Sequence, residues 1–296
     1  MAISSRGKPA WLKIRPPDWK NFPKIKETIK KYQLHTVCEE SHCPNISECW
    51  SGGTATFLIL GDVCTRGCRF CQVNSAAKGK PVDAAESKKI AAAVKEWNLK
   101  YAVLTSVARD DLPDYGSEQF VKCVREIKNK MPGVIVEVLI PDFQGEIKHL
   151  KKIVAAEPDV IAHNIETVER LQAKVRDGRA GYRQSLSVLK NVKKIDKKIF
   201  TKSSLLVGFG ETEKEILQTM KDLRAADADF LAIGQYLRPS EWHLPVVEYI
   251  KPEKFSFLKK VGEEMGFASV ASGPFVRTSY KAFEFFEKAS AGNSIL

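Results

Sequence analysis

The chain has 296 residues, 44% of them hydrophobic, with 47 Lys and Arg against 36 Asp and Glu and a net charge of +11. This composition excludes disordered and fibrous proteins, and the length allows two small domains or one large α/β barrel. The basic residues are dispersed along predicted helices without interleaved aromatic residues, so we expect no nucleic-acid partner, although the positive surface would suit an acidic protein.

The cysteines are unevenly distributed, with six of the seven between residues 38 and 71. The chain starts without the apolar core of a secretory signal, and its longest apolar runs have the length of strands, so we expect a cytoplasmic protein that does not enter a membrane. In a reducing compartment, clustered thiols are more often metal ligands or catalytic groups than disulfides.

In chain order, residues 1–35 resemble an arm with one short helix near 24–32, and a loop-rich cysteine cluster follows. Apolar runs then predict strands at 54–60, 101–107, 134–140, 160–165, 199–208 and 230–237. Between and after them, periodic patterns predict helices at 84–97, 117–130, 145–156, 167–175, 183–196 and 212–226. Two more helices, at 252–265 and 281–290, flank a Gly/Pro/Ser-rich segment at 269–280.

Two helix starts are predicted by capping boxes, Asp83 with Glu86 and Thr212 with Glu215. Six β-then-α units with near-continuous apolar strands predict a parallel α/β architecture. No GxGxxG or P-loop follows the first strand, which disfavours a nucleotide-binding doubly wound sheet. We predict a partial (β/α)6 TIM-like barrel over residues 54–240, with an N-terminal extension at 1–53 and a C-terminal extension at 241–296. Chemistry in such barrels lies at the carboxyl ends of the strands.

The first cysteine motif follows the first barrel strand, with Cys64, Cys68 and Cys71 in the sequence GDVCTRGCRFCQV. Three thiolates can hold three irons of a [4Fe–4S] cluster and leave the fourth iron open to a ligand. Zinc remains the alternative, because thiolates also bind zinc.

The second motif precedes that strand, with Cys38, Cys43 and Cys49 in the sequence CEESHCPNISEC. It again lacks a nearby fourth cysteine. His35 and His42 could complete a zinc site, which is the alternative to a second iron–sulfur cluster.

The C-x3-C-x2-C spacing, with Phe70 before its last cysteine, resembles the radical S-adenosylmethionine superfamily. The two triads together with CPNISECW, TSVARDDLPDYG, HNIETV, VRDGRAGYRQSL, TKSSLLVGFGET, GQYLRPS and GPFVRTSY resemble the lipoyl synthase family over about residues 36–280. That resemblance implies two [4Fe–4S] clusters, S-adenosylmethionine, and insertion of sulfur at C6 and C8 of a protein-bound octanoyl-lysine, with the auxiliary cluster as sulfur donor.

The resemblance also implies partners: an octanoylated lipoyl carrier domain or glycine cleavage H-type protein, a reducing electron donor, and proteins of iron–sulfur cluster assembly or repair. On family grounds we expect a monomer. Two other interpretations stay open: a different sulfur inserter of the same superfamily, similar to biotin synthase or a methylthiotransferase, and a non-enzymatic, zinc-stabilised binding protein.

Residue by residue, the resemblance implies that Cys64, Cys68 and Cys71 hold the cluster that binds S-adenosylmethionine. It assigns the auxiliary cluster to the other triad and to the oxygen of Ser279. Thr278 stands where many members have serine. From sequence alone, without the resemblance, the segment containing both hydroxyls is better interpreted as a cap of the helix that follows.

Further candidates lie at or near strand ends. Asn164 and Glu166 could bind a ribose, Arg176 could pair with the carboxylate of S-adenosylmethionine, and Phe70 belongs to the cluster motif. Weaker candidates are Arg109, Asp110, Asp111, Lys202, Glu211 and Gln235, for which the alternative is a structural hydrogen bond or a surface charge. Cys123, in a predicted helix, is interpreted as an ordinary half-buried thiol.

Overall fold

The structure is a computed structural model that describes residues 8–12, 22–41, 43, 45–51 and 54–293. Its strands are β1 His35–Thr36, β2 Thr54–Ile59, β3 Val63–Cys64, β4 Asn74–Ser75, β5 Tyr101–Ser106, β6 Ile135–Leu139, β7 Val160–Ala162, β8 Phe200–Val207, β9 Phe230–Gln235 and β10 Ser269–Gly273. Its α-helices are α1 Phe22–Tyr32, α2 Val37–Glu40, α3 Ile46–Ser51, α4 Glu86–Glu96, α5 Ser117–Lys130, α6 Ile147–Val154, α7 Gln172–Val175, α8 Tyr182–Ile195, α9 Glu213–Ala225, α10 Pro252–Glu264 and α11 Ala282–Asn293.

Eight strands form one sheet in the order β1-β2-β5-β6-β7-β8-β9-β10, and all neighbours from β2 to β10 pair in parallel. Apart from β3 and β4, which form a separate two-stranded sheet, each strand pairs with the next in chain order, so the main sheet winds in one direction. No pairing between β10 and β2 is recorded in the described part of the chain, so the barrel is partial. This confirms the predicted fold class.

The sheet contains a seventh parallel strand that the sequence prediction missed. β10 lies in the Gly/Pro/Ser-rich segment at 269–280, for which no strand was predicted, and it pairs with β9 from Ser269 opposite Phe230 to Gly273 opposite Gly234. Its small side chains give little apolar signal, whereas backbone pairing depends little on side-chain size.

One of the two predicted capping boxes is present. Thr212 caps α9, and Glu215 bonds back to the Thr212 backbone. The box at Asp83 and Glu86 was wrong, because α4 begins after Ala85. The buried carboxylate of Glu86 instead accepts the backbone N–H of Leu60 and the side-chain amide of Gln119. Because Glu86 lies in the core, it does not cap α4.

Helix α11 covers the amino ends of the barrel strands. Phe286 makes edge-to-face contacts with Tyr101 and with Phe200, at ring-centroid distances of 6.2 and 5.6 Å. Ala289 packs with Val160 and Phe230. Since these four barrel residues begin β5, β8, β7 and β9, the helix closes the floor of the barrel, opposite the carboxyl ends of the strands.

Within the described ranges, no helix is long and apolar enough to cross a membrane.

Candidate metal centres

The loop that carries the first cysteine triad is bound to the barrel through its sulfur atoms. Cys64, the last residue of β3, accepts backbone N–H groups from Arg66 at 3.4 Å and from Ala108 at 3.3 Å. The Sγ of Cys68 accepts the N–H of Asp177 at 3.3 Å. Such N–H donors stabilise negative charge on sulfur and tune an attached cluster.

Arg66 attaches this loop to two neighbouring strand ends. Its guanidinium bonds Asp110, after β5, at 2.8 and 2.9 Å, and Asp142, after β6, at 2.7 and 2.8 Å. Burial alone would raise the pKa of Asp110, but its hydrogen bonds, led by Arg66, lower that pKa to about 2. Four charge-assisted bonds in a buried setting therefore fix the position of the loop.

A second anchor comes from the segment after α7. The carboxylate of Asp177 accepts the backbone N–H of Gly67 at 2.8 Å and the Nε of Arg179 at 2.8 Å. Arg179 also donates to the carbonyl of Thr65 at 2.5 Å. Hydrogen bonds from Arg179 lower the pKa of Asp177 below its ordinary value, so this pair stays charged at neutral pH.

A third anchor is the segment after β9. The Nε2 of His243 lies 2.9 Å from the carbonyl oxygen of Cys71, and the N–H of Leu244 donates to the carbonyl of Arg69 at 3.2 Å. The loop is thus held at each of its three cysteines.

The second triad lies in and between two short helices next to β2. The thiol of Cys38 receives a backbone hydrogen bond from Thr56, that of Cys43 from Asn45, and that of Cys49 from Lys281. Burial, followed by the charge of neighbouring cysteines, raises the pKa of Cys38 and of Cys49 to about 12. Without a metal these thiols would be protonated at neutral pH, so a metal centre would replace their protons.

The segment after β10 crosses the open side of the barrel to reach this triad. The side-chain amide of Asn45 donates to the carbonyl of Phe275 at 2.6 Å. The hydroxyl of Tyr280 donates to the carboxylate of Glu48 at 3.2 Å. Because these bonds join the two edges of the sheet, residues 274–281 form a wall across the gap.

Ser279 and Thr278 point their hydroxyls at different partners. Thr56 Oγ1 donates to Ser279 Oγ at 2.8 Å, and the backbone of the same threonine bonds Cys38. Thr278 Oγ1 instead pairs with the side chain of Asn164. Of the two hydroxyls, that of Ser279 is directed to the residue that also contacts the second triad.

Asn164 connects the surroundings of the two triads. Its Nδ2 donates to Glu166 Oε1 at 3.0 Å and to Thr278 Oγ1 at 3.1 Å. Burial raises the pKa of Glu166, whose charge acts on the thiols of Cys68 and Cys71. Glu166 adopts a φ of 66°, a left-handed conformation that costs a non-glycine residue about 1–3 kcal/mol and is found preferentially at functional sites.

Arg176 is hydrogen-bonded within the protein. Its Nη1 donates to Ser185 Oγ at 2.9 Å and to Gln172 Oε1 at 3.2 Å. Its buried Nε has no hydrogen-bond partner in the structure. The carboxylate-binding role of Arg176 stays a prediction. Phe70 packs beside the core cluster of α8, α9 and β9, and its role near the cofactor likewise stays a prediction.

Lys202, one of the weaker candidates, is buried inside the barrel, where it pairs with a carboxylate that the sequence prediction did not include. Its Nζ lies 2.9 Å from Glu137 Oε2, which also accepts the hydroxyl of Tyr101 at 2.6 Å. The available signal was the single carboxylate within the apolar run VIVEVLI. A small cavity of about 10 Å³ separates this network from Thr278 and Tyr280.

The remaining candidates have internal partners. Arg109 pairs with Asp111 at 2.8 Å, and Asp110 belongs to the Arg66 network. The carboxylate of Glu211 accepts the N–H groups of Gly208 and Phe209. The amide of Gln235 bonds the backbone of four residues, Val207, Tyr236, Glu248 and Ile250.

Two other predictions concern isolated side chains. Cys123 is completely buried in α5, so the half-buried interpretation was wrong, because α5 packs on both the sheet and α4. His35 Nδ1 lies 3.2 Å from Glu40 Oε1, whereas His42 is outside the described residues. Within the described ranges, no group of three or more His, Cys, Asp or Glu side chains is arranged to hold a single metal ion.

Comparisons with known proteins agree with this arrangement. The family model of the Radical SAM superfamily matches residues 58–223, and that of the N-terminal domain of lipoyl synthase matches residues 4–43. The chain is 53% identical to the lipoyl synthase of Anaeromyxobacter sp. (strain Fw109-5), covering 94% of this chain and 95% of that protein. It is 52% identical to the mitochondrial lipoyl synthase of Homo sapiens, covering 95% of this chain and 77% of that protein.

Solved structures share the fold at low sequence identity. HydG, a maturase of the [FeFe]-hydrogenase, superposes with a TM-score of 0.57 at 14% identity, over 86% of this chain and 67% of that chain. Methylornithine synthase superposes with a TM-score of 0.54 at 13% identity, over 83% of this chain and 81% of that chain. These likenesses support the partial barrel alone.

Proposed function

The chain belongs to the lipoyl synthase family and is a sulfur-inserting radical S-adenosylmethionine enzyme, and from this premise we propose which residues carry each part of its reaction. Such an enzyme uses S-adenosylmethionine and two [4Fe–4S] clusters, and it acts on a lipoyl carrier protein. The proposal divides the chain into an N-terminal extension at 1–53, a barrel at 54–240 and a C-terminal extension at 241–296.

We propose that Cys64, Cys68 and Cys71 hold the cluster that binds S-adenosylmethionine. The donor set fits, because three thiols stand on one anchored loop and backbone N–H groups already point at two of their sulfurs. When bound, the cluster and S-adenosylmethionine supply the radical that removes hydrogen from the substrate carbon. The chain's own part is to hold the loop rigidly, through Arg66 and Asp177.

Asn164 and Glu166 are proposed to bind the ribose of S-adenosylmethionine. Both lie just after β7, near the first triad, and their side chains already bond to each other at 3.0 Å. An amide and a carboxylate side by side can accept and donate hydrogen bonds with a pair of hydroxyls. Arg176 and Phe70 are proposed to contact the rest of the same cofactor.

We propose that Cys38, Cys43, Cys49 and Ser279 hold the auxiliary cluster, which donates the sulfur. The observation that carries this assignment is the position of Thr56, which bonds both Cys38 and Ser279. Three soft thiolates suit iron, while the serine oxygen is a harder ligand and would release its iron more readily than a thiolate.

The substrate is proposed to be an octanoyl-lysyl group carried on a lipoyl domain or a glycine cleavage H-type protein, and sulfur is inserted at C6 and C8. The octanoyl chain would lie between the two triads, where Asn164 connects their surroundings. The floor formed by α11 and the wall at 274–281 would keep water from that space, which would protect reactive carbon centres. Cluster assembly or repair proteins are proposed as further partners. None of the seven cysteines is paired in a disulfide, which suits the proposed cytoplasmic location.

Metal analysis and product mass test these assignments. Anaerobic reconstitution should give about eight irons per chain, and about four when either triad is replaced by alanine. An octanoyl-lysyl peptide should gain two sulfurs with S-adenosylmethionine and dithionite. Zinc without iron would contradict the assignment of both triads, and normal sulfur insertion by Ser279→Ala would contradict the ligand role of that serine.

A further inference from the structure

Trp242 has an unusual position for a large apolar side chain. It is 94% exposed, whereas the other exposed large hydrophobic residues in the described part of the chain are 40–42% exposed. Isolated apolar residues at a surface are ordinary, but tryptophan is among the residues that most often anchor protein interfaces.

The residues around Trp242 connect it to the first triad. His243, the next residue, lies 2.9 Å from the carbonyl oxygen of Cys71, and Leu244 bonds the carbonyl of Arg69. The hydroxyl of Tyr236 also donates to the carbonyl of Leu244 at 2.8 Å. Trp242 is therefore the exposed end of a segment whose base is fixed against the cysteine loop.

Two arginines belong to the segments that carry Trp242. Arg69, whose carbonyl bonds Leu244, and Arg238 are both exposed, and Arg238 keeps the segment folded through bonds to the carbonyls of His243 and Glu241. Glu241 is the one carboxylate of residues 238–244, and the whole chain carries +11. Such a rim favours an acidic partner through electrostatic steering.

We propose that Trp242 and its basic rim are the docking surface for an acidic one-electron carrier protein, which reduces the cluster proposed at Cys64, Cys68 and Cys71. This inference rests on the proposed function, because that cluster must be reduced before it can act. The donor loses one electron, the cluster gains it, and no proton or atom is transferred. Docking beside Cys71 shortens the path that the electron must travel, and small, weak interfaces are typical of electron-transfer complexes.

Binding of a reduced, acidic flavodoxin is the direct test. Trp242→Ala should raise its Kd about tenfold, as expected for loss of an aromatic anchor, with Trp242→Phe intermediate. Phe257→Ala is the matched control, because Phe257 is an exposed aromatic on α10 and should leave the Kd unchanged. Added salt should weaken binding by the wild-type chain.

Two reductants separate this proposal from the proposed function. With flavodoxin, Trp242→Ala should slow cluster reduction about tenfold, in proportion to the Kd; with dithionite, reduction and sulfur insertion into the octanoyl-lysyl peptide should match wild type. An unchanged flavodoxin Kd would overturn the proposal. A loss of sulfur insertion by Trp242→Ala when an octanoylated carrier protein is the substrate under dithionite would also overturn it, because that result would assign the surface to the carrier. Absence of sulfur insertion by the wild type under dithionite would contradict the proposed function itself.

Discussion

Asn164 and Thr278 lie 114 residues apart in sequence and pair through their side chains, with Asn164 Nδ2 donating to Thr278 Oγ1 at 3.1 Å and Thr278 Oγ1 donating to Asn164 Oδ1 at 3.3 Å. Asn164 also bonds Glu166 on the side of the first triad. Thr278 immediately precedes Ser279, the proposed ligand of the auxiliary cluster. The pair therefore links the surroundings of the two proposed centres.

Replacing Thr278 should affect the auxiliary site. Thr278→Val keeps the shape of the side chain and removes both hydrogen bonds, so Ser279 loses its support, and iron at this site should bind about tenfold more weakly. Iron retention during chelator challenge measures this in a chain whose first triad is replaced by alanine. Thr278→Ser keeps the hydroxyl and should behave as wild type; equal retention by the valine variant would show that the pair has no positioning role.

The Arg66 network predicts that its disruption causes a selective loss of iron from the first triad. Asp142→Ala leaves one side of the buried Arg66 guanidinium without its partner, and breaking a buried pair from one side typically costs about 3–5 kcal/mol. Urea unfolding of the metal-free chain measures the free energy of unfolding. Reconstituted protein should also lose iron from the first triad and keep it at the second. Lys80 pairs with Asp62 at the surface, and Asp62→Ala, the control, should cost less than about 1 kcal/mol.

The low pKa of Asp110 predicts a pH-dependent stability. Its pKa falls from 3.8 to about 2 in the folded chain, so its charged form stabilises the fold above pH 3.8 and this contribution is lost as the pH falls through about 2. The shift corresponds to about 2 kcal/mol. Urea midpoints of the metal-free chain should fall less steeply with decreasing pH for Asp110→Asn than for wild type, and the two curves should converge near pH 2. Parallel curves would show that the carboxylate of Asp110 does not contribute this dependence of stability on pH.

The buried pair of Glu137 and Lys202 should show strong coupling in the free energy of unfolding. Glu137→Leu leaves a buried ammonium unpaired and should destabilise the chain by about 3–5 kcal/mol, whereas Glu137→Leu combined with Lys202→Met removes both charges and should cost much less. A double-mutant cycle in urea gives the coupling energy. Additive effects of the two substitutions would mean that the pair contributes nothing as a unit.

The sequence predicted the parts of the fold that have strong apolar periodicity. The six barrel strands and their helices follow from continuous apolar runs and helical patterns, which is why the partial barrel was predictable. β10 was not, since its residues are small and its place depends on pairing with β9. α11 was predicted as a helix, but its packing against the strand starts depends on contacts that no local pattern encodes.

For the site, cysteine spacing and resemblance indicated both triads and Ser279, because the residues of a short motif stand close together in the sequence; their ligand roles stay predictions. The supports of the site were not predictable in their roles. Arg66, Asp142 and Asp177 are brought together only by the ends of neighbouring strands, and the pairing of Asn164 with Thr278 depends on the course of residues 274–281 across the barrel opening.

The path of residues 274–281 across the barrel opening also determines when the proposed auxiliary site can be completed. The bonds from Asn45 to Phe275 and from Thr56 to Ser279 join residues more than 220 positions apart. During synthesis, the second triad and most of the barrel exist before residues 274–281 leave the ribosome. Until then the side of the barrel stays open and its floor is uncovered. The proposed Ser279 ligand therefore reaches the second triad only after the rest of that site has been synthesised, and until then the triad stays accessible to whatever delivers its iron.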